Sequence, residues 1–338
     1  MSPLVSPQSS TTPELGTLAL SIDAWLRRVE EAFDRALQSD LPPVQRLVSH
    51  LETYRGKMLR PSLVMLCGLA ADARATEPSD SQITIAAVCE MIHMATLVHD
   101  DVLDEADIRR QGATVNRLSG NEAAVVLGDY VFSAAYRLCS TLDSQQAALL
   151  IGQTGMTLCA GELLQLAHRQ NFSIDEPTYF EIVKRKTGSL IAIACRLGAM
   201  QSGASPETAA KFEEFGLKLG IAFQIQDDLL DLAGDQGVVG KPLRKDATLG
   251  KLTLPVIHHL ASAAPQRRGA TLLLLEDFSP TAGKKLLDAL ESTRSIDHAH
   301  AAAKKLVADA KSLLSAIPDS PAKQALLSMA DQVVTRAS

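Results

Sequence analysis

Two acidic clusters of identical spacing, Asp100-Asp101-Val-Leu-Asp104 and Asp227-Asp228-Leu-Leu-Asp231, constrain this chain more than any other feature. They lie 127 positions apart, and each closes an apolar stretch: Met94-Ala-Thr-Leu-Val98 before the first, Ile221-Ala-Phe-Gln-Ile225 before the second. On a helix, residues four apart stack on one face, so the first and last Asp of each cluster point the same way. Carboxylates crowded like this repel one another unless a cation sits between them. A single D-D-x-x-D can be a solvated acidic face. Two copies that both emerge from stretches requiring burial fit that reading poorly, because solvated faces seldom follow directly on buried runs. Hard divalent ions take oxygen ligands, and Mg2+ typically binds one or two carboxylates plus substrate phosphates. The spacing therefore implies two helices whose ends grip a diphosphate through magnesium.

The rest of the chain supports helices. Ser205-Pro206, Ser279-Pro280 and Ser320-Pro321 each offer an N-cap followed by proline at the first helical position, and Asp175-Glu-Pro177 opens another helix. Periodic Leu, Ala, Ile and Val runs predict helices near 18–38, 81–105, 120–141, 145–168, 178–198, 207–233, 281–292, 298–316 and 322–335. Strand signals are nearly absent, and aromatics make up only 4% of the residues. Breaks rich in Gly and charge, near 105–120 and 234–251, come directly after the acidic clusters, where functional loops are expected. With 46% hydrophobic residues, 338 positions suffice for one large core. The expectation is an all-α, single-domain helical bundle over 16–338, preceded by a disordered Ser/Thr/Pro-rich segment, 1–15.

Net charge −6 gives no support to nucleic-acid binding. No apolar run reads as long enough to span a bilayer, and the N-terminus lacks the pattern of a signal peptide. Cys67, Cys89, Cys139, Cys159 and Cys195 stand singly in apolar surroundings without C-x-x-C spacing. Buried, reduced thiols in a cytoplasmic protein account for them.

Basic residues gather beside the acids and glycines. Arg109-Arg110 follow the first cluster; Gly56-Lys57-Met-Leu-Arg60-Pro61, Lys184-Arg-Lys186-Thr187-Gly188, Gly240-Lys241-Pro242 and Gly250-Lys251 form four further elements. Any one alone reads as solvated surface. Together they suit a diphosphate, whose oxygens Arg matches with paired N–H donors while Lys acts as a point charge.

At this point the chain resembles the trans-polyprenyl diphosphate synthases. The resemblance rests on Gly56-Lys57-x-x-Arg60-Pro61, Ile92-His93 through Asp101-x-x-Asp104 with Arg109-Arg110, Lys186-Thr187, and Phe223-Gln224 through Asp231 with Gly240-Lys241. It implies an isoprenoid-synthase bundle with a central active-site cavity, a homodimer, and condensation of an allylic diphosphate (dimethylallyl, geranyl, farnesyl or geranylgeranyl) with isopentenyl diphosphate. Asp100, Asp104 and Asp227 would bind Mg2+, three ions in all with Mn2+ able to substitute, supported by Asp101, Asp228 and Asp231. Lys57, Arg60, His93 and Arg110 would hold isopentenyl diphosphate. Arg109, Lys186, Thr187, Gln224, Lys241 and Lys251 would hold the allylic diphosphate. The chain departs from the family pattern at Arg55, Met58, Leu232 and Arg244, none of them a main ligand.

Product length is read on the face carrying Asp100, along which Thr96, Ala95 and Ile92 lie four, five and eight positions earlier. In the family, a bulky aromatic five positions before the first Asp closes the cavity at farnesyl length; here that position is Ala95. The pattern is similar to long-chain members, which implies hexaprenyl to decaprenyl products, with geranylgeranyl as the alternative. Rival readings are weaker. Glu90-Met-Ile-His93 could belong to a di-iron bundle, but no second E-x-x-H exists. A terpene cyclase would lack the second acidic cluster, and a non-catalytic subunit of a heteromeric synthase would have eroded both.

Overall fold

The structure is a computed structural model that describes residues 13–72, 74–110, 112–233, 249–276 and 280–335. Helices α1 (Pro13–Leu37), α2 (Pro42–His50), α3 (Leu59–Ala71), α4 (Asp80–Leu103) and α5 (Val115–Cys139) come first. They are followed by α6 (Gln145–Ala167), α7 (Glu176–Val183), α8 (Ser189–Met200) and α9 (Pro206–Ala233). The last are α10 (Leu254–Ser262), α11 (Pro265–Glu276), α12 (Pro280–Ser292), α13 (Ser295–Leu313) and α14 (Pro321–Thr335). The strands among the described residues are the two-residue pair β1 (Ile108–Arg109) and β2 (Gly112–Ala113), an antiparallel hairpin with Arg109 opposite Gly112.

The described residues divide into two compact units. The first holds the chain up to Gly155 with Leu190–Glu213 and Leu314–Leu326; the second holds Met156–Ser189, Glu214–Leu313 and the stretch from Leu327 on.

In the first unit α4 is the axis, packed along α5, α3 and α1. It begins with a capping box: the Gln82 amide N–H donates to Ser79 Oγ (3.2 Å), and the Ser79 N–H donates to Gln82 Oε1 (2.8 Å). Ile85, Val88, Met91, Ile92, Met94 and Val98 are at most 1% exposed. Each such side chain contributes on the order of 1.5–3 kcal/mol relative to exposure. Helix α3 is buried on all sides from Pro61 to Ala70. It approaches α8 so closely that a Cβ on Gly198 would meet Val64 O at 2.1 Å, so only glycine fits there.

The second unit packs Leu232, Val256, Leu260, Leu275, Leu286 and Leu290 into one cluster, joining α9 to α10, α11 and α12. Helix α7 opens as expected, with the Asp175 carboxylate accepting from the Thr178 N–H at 3.0 Å. The helix expected over 178–198 does not run straight. Lys184–Gly188 forms a π-helical turn between α7 and α8, which apolar periodicity does not disclose.

Three further expectations need correction or restriction. Cys67, Cys89, Cys139 and Cys195 are buried, and burial pushes the Cys139 thiol up to about 11, but Cys159 is exposed, because α6 turns that face outward. By length and composition α4 and α6 are each apolar enough to cross a membrane, contrary to the sequence reading. Interspersed Thr, Gln and Gly hide runs whose mean hydropathy stays high. The most apolar stretch of α4 is 72% buried in the fold, that of α6 only 33%. Most of the Ser/Thr/Pro-rich lead-in, Ser279 and Lys241 lie outside the described residues.

Candidate active site

The first acidic cluster occupies the last turn of α4, with Asp104 at its C-cap. Asp100 and Asp104 are partly exposed, whereas Asp101 is buried at 1%. Arg109 on β1 explains how a carboxylate can sit there. Its Nε donates to both Asp101 oxygens (2.9 and 3.0 Å) and its Nη2 reaches Oδ1 at 2.7 Å. The guanidinium also lies 5.9 Å from the Tyr54 ring centre, and Tyr54 Oη accepts from the Val115 N–H. The connection from α4 to α5 is fixed by Thr114, whose hydroxyl donates to Ala106 O at 2.6 Å.

Next to this cluster stands a cationic group. Arg60 lies in the first turn of α3, after exposed Lys57 and the left-handed Met58 (φ 52). Arg110 follows Arg109 in the tight turn of the hairpin with φ 57, the conformation a two-residue hairpin loop requires. Gly56 leaves room for it: a Cβ there would meet Arg110 Nη2 at 2.5 Å. These cations act on two partners from α4. Burial, then Arg60, Arg109 and Arg110, hold His93 well below its ordinary value, so it is neutral near pH 7. Burial raises the Glu90 carboxyl, opposed by Arg60, Arg110 and Arg55. Glu90 is 4% exposed and was weighed in the sequence only as part of a di-iron motif. Guanidiniums on both of its members make that pair a poor iron site. Arg55 itself pairs with Asp34 and lies over the Phe33 ring, which holds it to α1.

The second cluster ends α9. Asp227 and Asp231 are partly exposed, and again the middle residue is buried, Asp228 at 5%. Tyr179 Oη donates to Asp228 Oδ2 (2.6 Å) and Gln224 Nε2 donates to Oδ1 (2.8 Å). Gln224 Oε1 in turn accepts from the Thr187 hydroxyl at 2.9 Å. Thr187 and Lys186 both come from the π-helical turn. Lys186 Nζ pairs with Glu162 and donates to Gln165 Oε1 at 3.0 Å, two residues one turn apart on α6. Lys251 is partly exposed just before α10, beyond Gly250, whose carbonyl accepts from the Gln170 N–H. Tyr179, Glu162, Gln165 and Tyr54 escaped the sequence reading; no spacing marks them.

Within each cluster, then, the first and third carboxylates reach solvent and the second is an anchor. Oxygen-only donors on a half-exposed face suit a hard divalent cation, and the anchored middle residue fixes their aim. Of the residues tied to product length, Ala95 and Ile92 are 1% exposed, and Thr96 returns its hydroxyl to His93 O.

The model of the polyprenyl synthetase family matches residues 42–291. The chain is 33% identical over 320 residues to the short chain isoprenyl diphosphate synthase of Methanothermobacter thermautotrophicus, covering 92% of this chain and 97% of the relative. To the octaprenyl diphosphate synthase of Escherichia coli it is 32% identical over 312 residues, covering 91% and 94%. The crystal structure of polyprenyl synthase from Caulobacter crescentus, complexed with calcium and isoprenyl diphosphate, superposes with a TM-score of 0.86. It shares 28% identity and covers 98% of this chain and 100% of its own.

Proposed function

The chain belongs to the polyprenyl synthetase family and is a prenyltransferase; from that premise we propose that it joins isopentenyl diphosphate to an allylic diphosphate in a Mg2+-dependent reaction, making a trans-polyprenyl diphosphate longer than farnesyl. The observation that carries the metal reading is the shared build of the two clusters, with outer carboxylates partly exposed and a buried anchor between them. Asp100, Asp104 and Asp227 hold the ions, with Asp231 in support. Bound Mg2+ supplies electrostatic stabilisation of the leaving diphosphate.

The chain's own groups do the rest. Lys57, Arg60 and Arg110 take the diphosphate of isopentenyl diphosphate, and neutral His93 offers it one N–H without adding charge. Lys186, Thr187, Gln224, Lys251 and Lys241 take the allylic diphosphate. Arg109 has five N–H donors; Asp101 takes that of Nε and one of Nη2, and the Nη1 pair is offered to a phosphate oxygen. Heterolysis of the allylic C–O bond gives a carbocation and free diphosphate, the isopentenyl alkene attacks the cation, and a proton passes to the released diphosphate or another local base to restore a double bond. Two oriented diphosphates supply proximity, and apolar walls keep water from the cation.

Long products rest on Ala95, a methyl group where closure at farnesyl length needs an aromatic, and the octaprenyl relative points the same way. The range is hexaprenyl to decaprenyl, with geranylgeranyl as the alternative, since a short-chain relative is equally similar. Exposed apolar residues support a homodimer: Leu149, Met156 and Leu163 recur every seven positions on α6, and Leu118, Val125 and Val126 stand out on α5. The test is mass spectrometry of products made from isopentenyl diphosphate and farnesyl diphosphate. A long polyprenyl chain is expected, shortened toward farnesyl by Ala95→Tyr when geranyl diphosphate is the starter. A wild type that stops at farnesyl would overturn the length assignment.

A further inference from the structure

Away from the acidic clusters, and within the second unit, three metal-ligating side chains come together from three helices. Glu176 opens α7, His258 lies in α10, and His298 lies in the first turn of α13. Their ligand atoms all fall within 4.8 Å of one another. His258 Nδ1 is 2.8 Å from Ser295 Oγ, which leaves Nε2 as its outward nitrogen. Ser295 is itself braced by Thr293 Oγ1 at 2.7 Å, so this imidazole is oriented by a hydrogen-bonded support of the kind that aims metal-binding histidines. His298 Nε2 is 3.1 and 3.2 Å from the two Glu176 oxygens. The rings of His258 and His298 stack at 4.1 Å with a 17° interplanar angle. Stacked imidazoles cannot both carry charge cheaply, and burial together with His298 lowers the pKa of His258, keeping it neutral.

We propose that Glu176, His258 and His298 form a second metal site, selective for a borderline transition ion of the Zn2+ type. Two imidazoles and one carboxylate are the donor set of such ions, with a fourth position open to water. Mg2+ and Ca2+ prefer oxygen ligands, so this site is chemically separate from the aspartate clusters. Lone pairs of stacked rings run side by side and cannot converge on one ion. Loading therefore turns the His298 ring out of the stack and exchanges its contact with Glu176 for a shared cation. The ion would tie the start of α7 to α10 and α13. Three residues along α7 is Tyr179, whose hydroxyl anchors Asp228, so occupancy stiffens a support of the second cluster.

The experiment uses the full chain, stripped with chelator and titrated with Co2+ and then Zn2+, with no diphosphate present. The expected result is stoichiometric Co2+ binding with the visible absorption of a nitrogen-ligated tetrahedral ion, displaced by Zn2+. It should persist in the Asp100→Asn/Asp227→Asn protein, which separates it from the acidic clusters. His258→Gln or His298→Gln should weaken Zn2+ binding by at least about a hundredfold, since removal of a mere supporting residue already costs 10–100-fold. If His258→Gln fails to fold, half-exposed His298→Gln decides alone. Undiminished binding in the His298→Gln protein, or loss of binding in the aspartate variant instead, overturns the site and leaves the prenyltransferase reading untouched.

Discussion

The middle aspartate of the first cluster is held by a guanidinium, and that of the second by a phenol and a carboxamide, although the two clusters read alike in the sequence. Arg109 cancels the Asp101 charge as well as bonding it. Tyr179 and Gln224 each donate a hydrogen bond to one oxygen of Asp228. The same job, keeping one carboxylate buried so that its neighbours are aimed, uses a guanidinium beside Asp101 and a phenol with a carboxamide beside Asp228. A position within a motif does not assign its role; burial and the donors that make burial tolerable do.

The largest effect should come from the outer carboxylates. Asp100→Ala and Asp227→Ala should each lower turnover by roughly 10³-fold, the scale of losing one preorganised electrostatic contact. Circular dichroism should remain that of the wild type. Chelation with EDTA should abolish activity in a radiolabelled isopentenyl diphosphate assay, and full turnover in EDTA would sink the metal reading of both clusters.

Arg109→Ala tests the ionic anchor. It strands a buried carboxylate, so it should destabilise the fold by about 3–5 kcal/mol in urea denaturation. Tyr179→Phe removes one hydrogen bond to a charged acceptor and should cost about 1.5–3 kcal/mol. The contrast between the clusters fails if the two losses come out equal or reversed.

The smallest effect is a pH dependence. His93 in the folded chain sits below its ordinary 6.5 because of burial and the nearby guanidiniums. The unfolded chain takes up a proton there that the folded chain refuses, so stability is full above about pH 6.5 and declines as pH falls. His258 and His259 shift in the same direction in the other unit. His93→Gln should flatten only part of the decline in thermal melts; an unchanged slope would contradict the shift.

The helical class could be read from spacing, and the acidic clusters and the basic elements beside them could be located there, because period, caps and charge are local properties. The anchors could not. Arg109 is eight residues from Asp101 and could be suspected, but Tyr179 is 49 residues from Asp228 and meets it only through packing. Glu90 was visible as a lone acid in an apolar helix, yet its meaning depends on Arg60, which reaches it from another element. Cys159 misled for a related reason: composition says a helix is apolar without saying which side is covered.

The π-helical turn at Lys184–Gly188 carries a consequence for how such a sequence can change over generations. A π turn is an ordinary helix with one residue too many, and excising one would restore regular geometry. Excision would leave the flanking helices close to their present register, because the extra residue is absorbed within the turn, but it would change which side chains the turn presents. Lys186 and Thr187, which the turn presents to Glu162 and Gln224, could not then both keep those partners. Single-residue deletions are common accidents, and here the variant with the tidier helix would be the inactive one.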